Sequence, residues 1–99
     1  MARRPTDPAF ERAAALFRAV GDVARLKLLH DLGDDEIGVG ELATKEGTKP
    51  STLSQQLRLL YAHGIVTRRR DGKHIYYRIA DEHVRDMIRA ALDHAEHDH

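Results

Sequence analysis

The sequence predicts a mainly α-helical domain with one small β-hairpin, a winged helix-turn-helix assembled as a homodimer. Three observations lead there. A short helical segment stopped by Gly47 is followed by a longer one opened by Pro50, the spacing of a helix-turn-helix. Two β-prone runs then flank Asp71-Gly72, as the strands of a wing would. The last helical segment carries Asp81, His83, His94 and His97, four side chains able to ligate a metal ion.

The elements follow in order. Ninety-nine residues make one domain, residues 1–99, with a single small core that gains from association. Residues 8–20 place Phe10, Ala13, Ala14, Phe17 and Val20 at helical spacing, with Asp7 as the cap and Gly21 as the stop. A second helix runs from Asp22 through the apolar Val23, Leu26, Leu29 and Leu32 to Gly33, and Gly33-Asp34-Asp35 is a turn. Residues 37–40 allow only a small strand, and residues 41–46 a short helix. Pro50 opens the longer helix, along which Leu53, Leu57, Leu60 and Tyr61 recur until His63-Gly64 ends it. Residues 65–67 and 75–79 are the β-prone runs, joined through residues 70–73. From Asp81 the last helix carries Val84, Met87, Ile88, Ala91, Leu92 and Ala95 at i, i+3, i+4, i+7, i+8 and i+11.

Composition removes several function classes. There is no cysteine, so disulfides, thiolate metal sites, thiol redox switches and sulfur-based sensing of soft metals or arsenite are excluded. No apolar run approaches a membrane span and no secretory signal pattern is present, so a soluble, cytoplasmic protein is expected. Sixteen basic residues balance sixteen acidic ones, but unevenly. Residues 49–78 hold Lys49, Arg58, Arg68, Arg69, Arg70, Lys73 and Arg78 against Asp71 alone, and both flanking segments are acidic. A basic block folded onto one face is a footprint for a polyanion; scattered, it is a solvated surface.

The ligand spacing makes a geometric demand. The pattern is Asp-x-His-x10-His-x2-His. Eleven residues of α-helix turn about 20° beyond three full turns and rise about 16 Å, so His83 and His94 share a face yet cannot reach one ion from one helix. If a second copy packs antiparallel, the Asp81/His83 end of one chain meets the His94/His97 end of the other, giving two equivalent sites about a two-fold axis. One oxygen and three imidazole nitrogens suit zinc or cobalt(II); nickel asks for more ligands, which His99 and the N-terminal amine could add. A solvated helix end would explain His97 and His99 but not Asp81 and His83.

In a helix-turn-helix the start of the second helix enters the major groove. Ser51, Thr52, Ser54 and Gln55 are placed there, with Lys49 and Arg58 available for phosphates; Gln55 is the strongest candidate for a base contact because its amide can pair bidentately with adenine. On the wing, Arg69, Arg70 and Lys73 would follow the backbone or minor groove. His30, His63 and His74 read as surface or helix-end residues. No nucleophile with an adjacent base is visible and no small-molecule substrate is implied, so an enzyme is not expected.

The element order, the run Pro50-Ser51-Thr52-Leu53-Ser54-Gln55-Gln56-Leu57-Arg58-Leu59-Leu60 and the Asp-x-His-x10-His-x2-His pattern together resemble the ArsR/SmtB family of winged-helix metalloregulatory repressors. The resemblance covers almost the whole chain, and the last pattern matches the intersubunit site of the family's zinc and cobalt sensors. It implies a dimer held by the first and last helices, binding of double-stranded operator DNA, and repression of an efflux or detoxification gene relieved by metal. It also implies that the ligand matching His94 bonds a main-chain carbonyl near His63-Gly64. The chain departs from the family's pattern at Glu46 and Thr48, where many members pack apolar residues into the turn. Two other readings stand beside this one: a winged-helix regulator with a non-metal inducer, and a metal-buffering protein.

Overall fold

The computed structural model describes residues 3–97. Five helices and three strands follow in the order α1 (Asp7–Val20), α2 (Val23–Leu32), β1 (Ile37–Gly38), α3 (Val39–Glu46), α4 (Pro50–Ala62), β2 (Val66–Asp71), β3 (His74–Ile79) and α5 (Glu82–Glu96). The winged helix-turn-helix expected from the sequence is present, with α3 and α4 as the two helices and β2–β3 as the wing. The sheet is larger than a hairpin. Ile37 and Gly38 pair antiparallel with Tyr77 and Tyr76, making the order β1-β3-β2 and tying the entry to α3 onto the wing.

Local chemistry explains the ends. Thr6, rather than Asp7, caps α1: its side-chain oxygen accepts from the Ala9 amide, leaving Asp7 inside the first turn beside the helix dipole. Asp22 and Asp81 cap α2 and α5 in the same way, accepting from the Arg25 and Val84 amides. α3 starts at Val39, two residues ahead of the expected start, because Gly38 is already held in the sheet and serves as its cap. Gly47 adopts a left-handed φ of 64° and ends α3, so α4 can leave at a new angle three residues later. In the wing, Asp71 pairs with His74, which leaves Gly72 and Lys73 as a two-residue loop. Only Gly72 has positive φ there, the pattern of a type II′ turn that takes glycine first.

One aliphatic core joins all of this. Leu28, Leu29 and Leu32 of α2, Leu42 of α3, and Leu53, Leu57 and Leu60 of α4 meet Ile65, Val66, Tyr77 and Ile79 from the wing and Val84 and Ile88 from α5. α1 contributes only its last turn, Ala19 and Val20, with Leu16 half-buried. The rest of its apolar stripe points outward, leaving Phe10 48% and Phe17 61% exposed.

Two polar ties lock the helices to one another. Arg25 donates from Nε to the Ala19 carbonyl at 2.5 Å, from Nη2 to the Arg18 carbonyl at 3.5 Å and from Nη1 to Gln56 Oε1 at 3.3 Å, joining α1, α2 and α4. Asp34, after α2, faces two cations of α5: Arg89 Nη2 donates to its Oδ1 at 2.7 Å, and Arg85 Nε lies 3.0 Å from the same oxygen. The Arg85 contact is one of charge, since its angle is too oblique for a hydrogen bond and Nε is closed to solvent.

Replacing Asp34 with alanine would leave the Arg85 guanidinium, only 18% exposed, without its counter-charge. Asp34→Ala should therefore cost about 1–3 kcal/mol, seen as a lower urea midpoint at fixed protein concentration. An unchanged midpoint would show that the tie contributes nothing to folding.

Candidate functional site

α4 is amphipathic in the sense DNA recognition requires. Its inner face is the buried seam Leu53, Leu57 and Leu60, and 3.6-residue geometry then turns Ser51, Thr52, Gln55 and Arg58 to solvent, with Ser54 half-buried at the edge. Lys49 precedes the helix and is exposed. The first turn of α4 has no side-chain cap, so its end amides remain for an anionic partner or water. The six helix-turn-helix positions therefore form one continuous polar and basic surface.

The wing residues are placed less uniformly. Lys73 sits exposed in the loop. Arg70 donates from Nε to the Gly72 carbonyl at 3.1 Å, bracing the turn while its remaining guanidinium nitrogens stay exposed. Arg69 is held back: Nη2 and Nε donate to Glu36 at 2.6 and 3.1 Å, and its guanidinium lies 4.8 Å from the Tyr76 ring centre. This pairing holds the Glu36 carboxyl below the ordinary range. Arg68 stacks over Tyr61 at 4.2 Å, fixing the wing to the end of α4.

Three pairings escaped the sequence reading. Glu36 and Arg69 are 33 positions apart, and no local pattern joins them. Arg25 had a signal in its i, i+3 spacing from Asp22, whereas the link to Gln56 spans 31 positions. Arg68 and Tyr61 lie close in sequence, but only the reversal between α4 and β2 brings them face to face.

The turn between α3 and α4 keeps its form in spite of Glu46 and Thr48. The Thr48 amide donates to the Ala43 carbonyl at 3.1 Å, completing the helix end. Glu46 is half-buried against α2. Burial, and then a hydrogen bond with the Asp31 carboxyl, push its pKa up to about 7, opposed by Lys45 and Lys27. Lys45 also bonds the Asp31 carbonyl at 2.9 Å.

The metal-ligand candidates lie at opposite ends of α5. At the start, Asp81 Oδ1 accepts from the Val84 amide and lies 3.9 Å from His83 Nδ1, so the cap leaves the second carboxylate oxygen for a ligand. His83 is fully exposed. At the far end, His94 lies in the last turn and His97 caps it, with Nδ1 2.6 Å from the Asp93 carbonyl. Nδ1–H donating there leaves Nε2 with its lone pair outward, as a ligating imidazole needs. Among the described residues of one chain, no three His, Cys, Asp or Glu side chains converge on a metal position. The donor set therefore fits a metal ion only as two half-sites. His99 and the N-terminal amine, the candidates for extra nickel ligands, lie outside the described residues.

Residues 20–69, spanning α2 to the wing, match the family model described as a helix-turn-helix domain. The chain is 36% identical over 86 residues to the transcriptional repressor SmtB homolog of Synechocystis, covering 87% of this chain and 65% of that one. The chain belongs to the ArsR/SmtB family.

A second ArsR/SmtB relative, the HTH-type transcriptional regulator KmtR of Mycobacterium tuberculosis, is 40% identical over 82 residues, covering 83% of this chain and 63% of the relative. The chain thus spans just under two thirds of the length of these two relatives. Among solved structures, the homodimeric winged helix-turn-helix DNA-binding domain of Mb0332 from Mycobacterium bovis, described as a possible ArsR-family regulator, superposes with a TM-score of 0.84 at 31% identity, covering 100% of this chain and 98% of that one. Other relatives are described as a cadmium resistance transcriptional regulatory protein homolog of Staphylococcus aureus and a biofilm growth-associated repressor of Agrobacterium fabrum. No described helix of this member is long and apolar enough to cross a membrane.

The Glu46–Asp31 pair carries a pH signature. Because the folded pKa of Glu46 lies above its ordinary 4.5, folding favours the protonated form. That contribution is complete below about pH 4.5 and is lost as pH rises through about 7. Glu46→Gln, which keeps a donor toward Asp31, should flatten stability across this window. At pH 8 it should stabilise the protein by about 1 kcal/mol, discounted for solvent screening. Parallel wild-type and variant profiles would refute the assignment.

Proposed function

We propose that the chain is a homodimeric, cytoplasmic transcriptional repressor that binds a two-fold symmetric operator and releases it on binding zinc or cobalt(II). The observation carrying this reading is the outward stripe of α5. His83, Met87, Ala91 and His94 fall at i, i+4, i+8 and i+11, so they line one side of the helix next to the core stripe of Val84 and Ile88. Ligand candidates mark its two ends, and between them lie Met87, half-buried at the edge of the core, and the small, exposed Ala91. A second copy of α5 laid antiparallel would cover that stripe, and the exposed Phe10 and Phe17 of α1 offer further apolar surface to the same dimer.

In this dimer Asp81 and His83 of one chain and His94 and His97 of a second copy would hold each ion. Once held, the ion supplies a cross-link between the two α5 helices. The chain's own residues do the rest. Ser51, Thr52 and Gln55 read base edges, while Lys49, Arg58, Arg70 and Lys73 neutralise phosphates. Two α4 helices must match successive major grooves to bind together, so a dimer geometry that separates them lowers affinity without altering either surface. Coupling is reciprocal: DNA must weaken metal binding by the factor through which metal weakens DNA binding, typically about 5- to 150-fold.

Two measurements test the reading. Cobalt(II) titration should give intense tetrahedral visible bands saturating at one ion per chain and lost on adding zinc. His83→Ala and His94→Ala should each abolish them. Weak octahedral bands would favour nickel instead. Separately, affinity for duplex DNA should fall steeply with salt, and Arg58→Ala should reduce the slope of log affinity against log salt by about 0.9, one phosphate's worth. Metal binding without salt-dependent DNA affinity would replace the repressor with a metal buffer.

A further inference from the structure

The wing contains a cation that the fold keeps from DNA. Arg69 has its Nε and Nη2 spent on the two oxygens of Glu36, its plane over Tyr76 and Asp71 3.9 Å from Nη1. Glu36 and Tyr76 also form part of the wall of a groove of about 710 Å³ between residues 36–41, which lead through β1 into α3, and residues 73–76 of the wing, with Ser54 of α4 as its one further lining residue. A backbone following the wing past the start of α4 would meet this groove. Glu36 thus presents a carboxylate to Arg69 with the bidentate geometry a phosphate would use.

We propose that Glu36 acts as an internal phosphate mimic, a positioning residue that holds Arg69 against the sheet and lowers the protein's affinity for DNA. The inference rests on the DNA-binding reading but not on the metal site. It has a physical basis on both sides of the exchange. An exposed ion pair is weak, so the hold can be broken, yet the stacking on Tyr76 and the two-point geometry make it stronger than a single contact. The same two hydrogen bonds from Arg69 hold the Glu36 carboxyl below its ordinary range, which favours the charged form that a phosphate would have to displace.

The test measures binding of the full chain to a mixed-sequence duplex across a salt series, for wild type, Glu36→Gln, Arg69→Ala and the double variant. Glu36→Gln should tighten binding about 3- to 10-fold near 0.1 M salt and steepen the log–log salt slope by about 0.9, the signature of one added phosphate contact. In the Arg69→Ala background the same substitution should leave the slope unchanged. A gain that survives there would show that Glu36 merely repels DNA as a charge, and would overturn the proposal. So would weaker binding by Glu36→Gln, which would make the pair a brace for a DNA-ready wing. If wild type and variants alike lack salt-dependent affinity, the DNA-binding reading itself falls.

Discussion

The guanidinium of Arg25 is where α1, which would face a partner subunit, and α4, the helix that would face DNA, are fixed to each other. The carbonyls at the end of α1 have no partners further along that helix, and a cation is favourable there. Arg25 supplies the cation and two donors, then spends a third donor on Gln56 of α4. The rest of α1 has almost no core of its own, only Leu16, Ala19 and Val20. Without this tie, little beyond the last turn of α1 would define its angle to the recognition helix.

The electrostatics follow from folding rather than from composition. A neutral chain can still bind a polyanion if its charges are sorted. Here the sorting is incomplete and structured. Lys49, Arg58 and Lys73 are turned outward, Arg68 lies on Tyr61, and Arg69 lies on Glu36. The acidic segment between α2 and α3 serves structural ends as well, since Asp34 holds α5 and Glu36 holds the wing. A count of basic residues in the central block therefore overstates what the wing can offer a phosphate.

What the sequence made legible, and what it did not, divides by the range of the interaction. Helix positions, the Gly47 stop, the Pro50 start and the Asp71-Gly72 hairpin depend on backbone chemistry within a few residues. Each was readable, with errors of one or two positions at Thr6 and Val39 and of four at the end of β2, which runs to Asp71 rather than stopping at 67. The third strand was only glimpsed at residues 37–40, because two residues carry no periodicity and pair with a strand some 40 positions later. The stripe of Phe10, Ala13, Ala14 and Phe17 showed that α1 is amphipathic, but periodicity cannot say whether an apolar face meets the chain's own core or another copy. The pairing of Arg69 with Glu36 had no local signal at all. The candidate ligands stand in the sequence as one aspartate and three histidines at fixed spacing, and the structure separates the two halves along α5 as helix geometry requires.

α5 carries three duties on three adjoining stripes, and their proximity is what gives a ligand at its ends any leverage. Val84 and Ile88 seat it in the core, Arg85 and Arg89 reach Asp34 just after α2, and the stripe from His83 to His94 is exposed except at the half-buried Met87. A helix held by aliphatic packing alone can slide by fractions of an ångström at small cost, because dispersion contacts are numerous and undirected. The Arg85 contact cannot follow so easily, since its Nε is sealed from water and has only Asp34 to face. Any change of pose imposed on α5 must either strain that contact or carry Asp34 with it. Asp34 leads directly into β1, which is paired to the wing and continues into α3. The same short connection thus lies between the His83–His94 stripe of α5 and both elements of the surface proposed to face DNA.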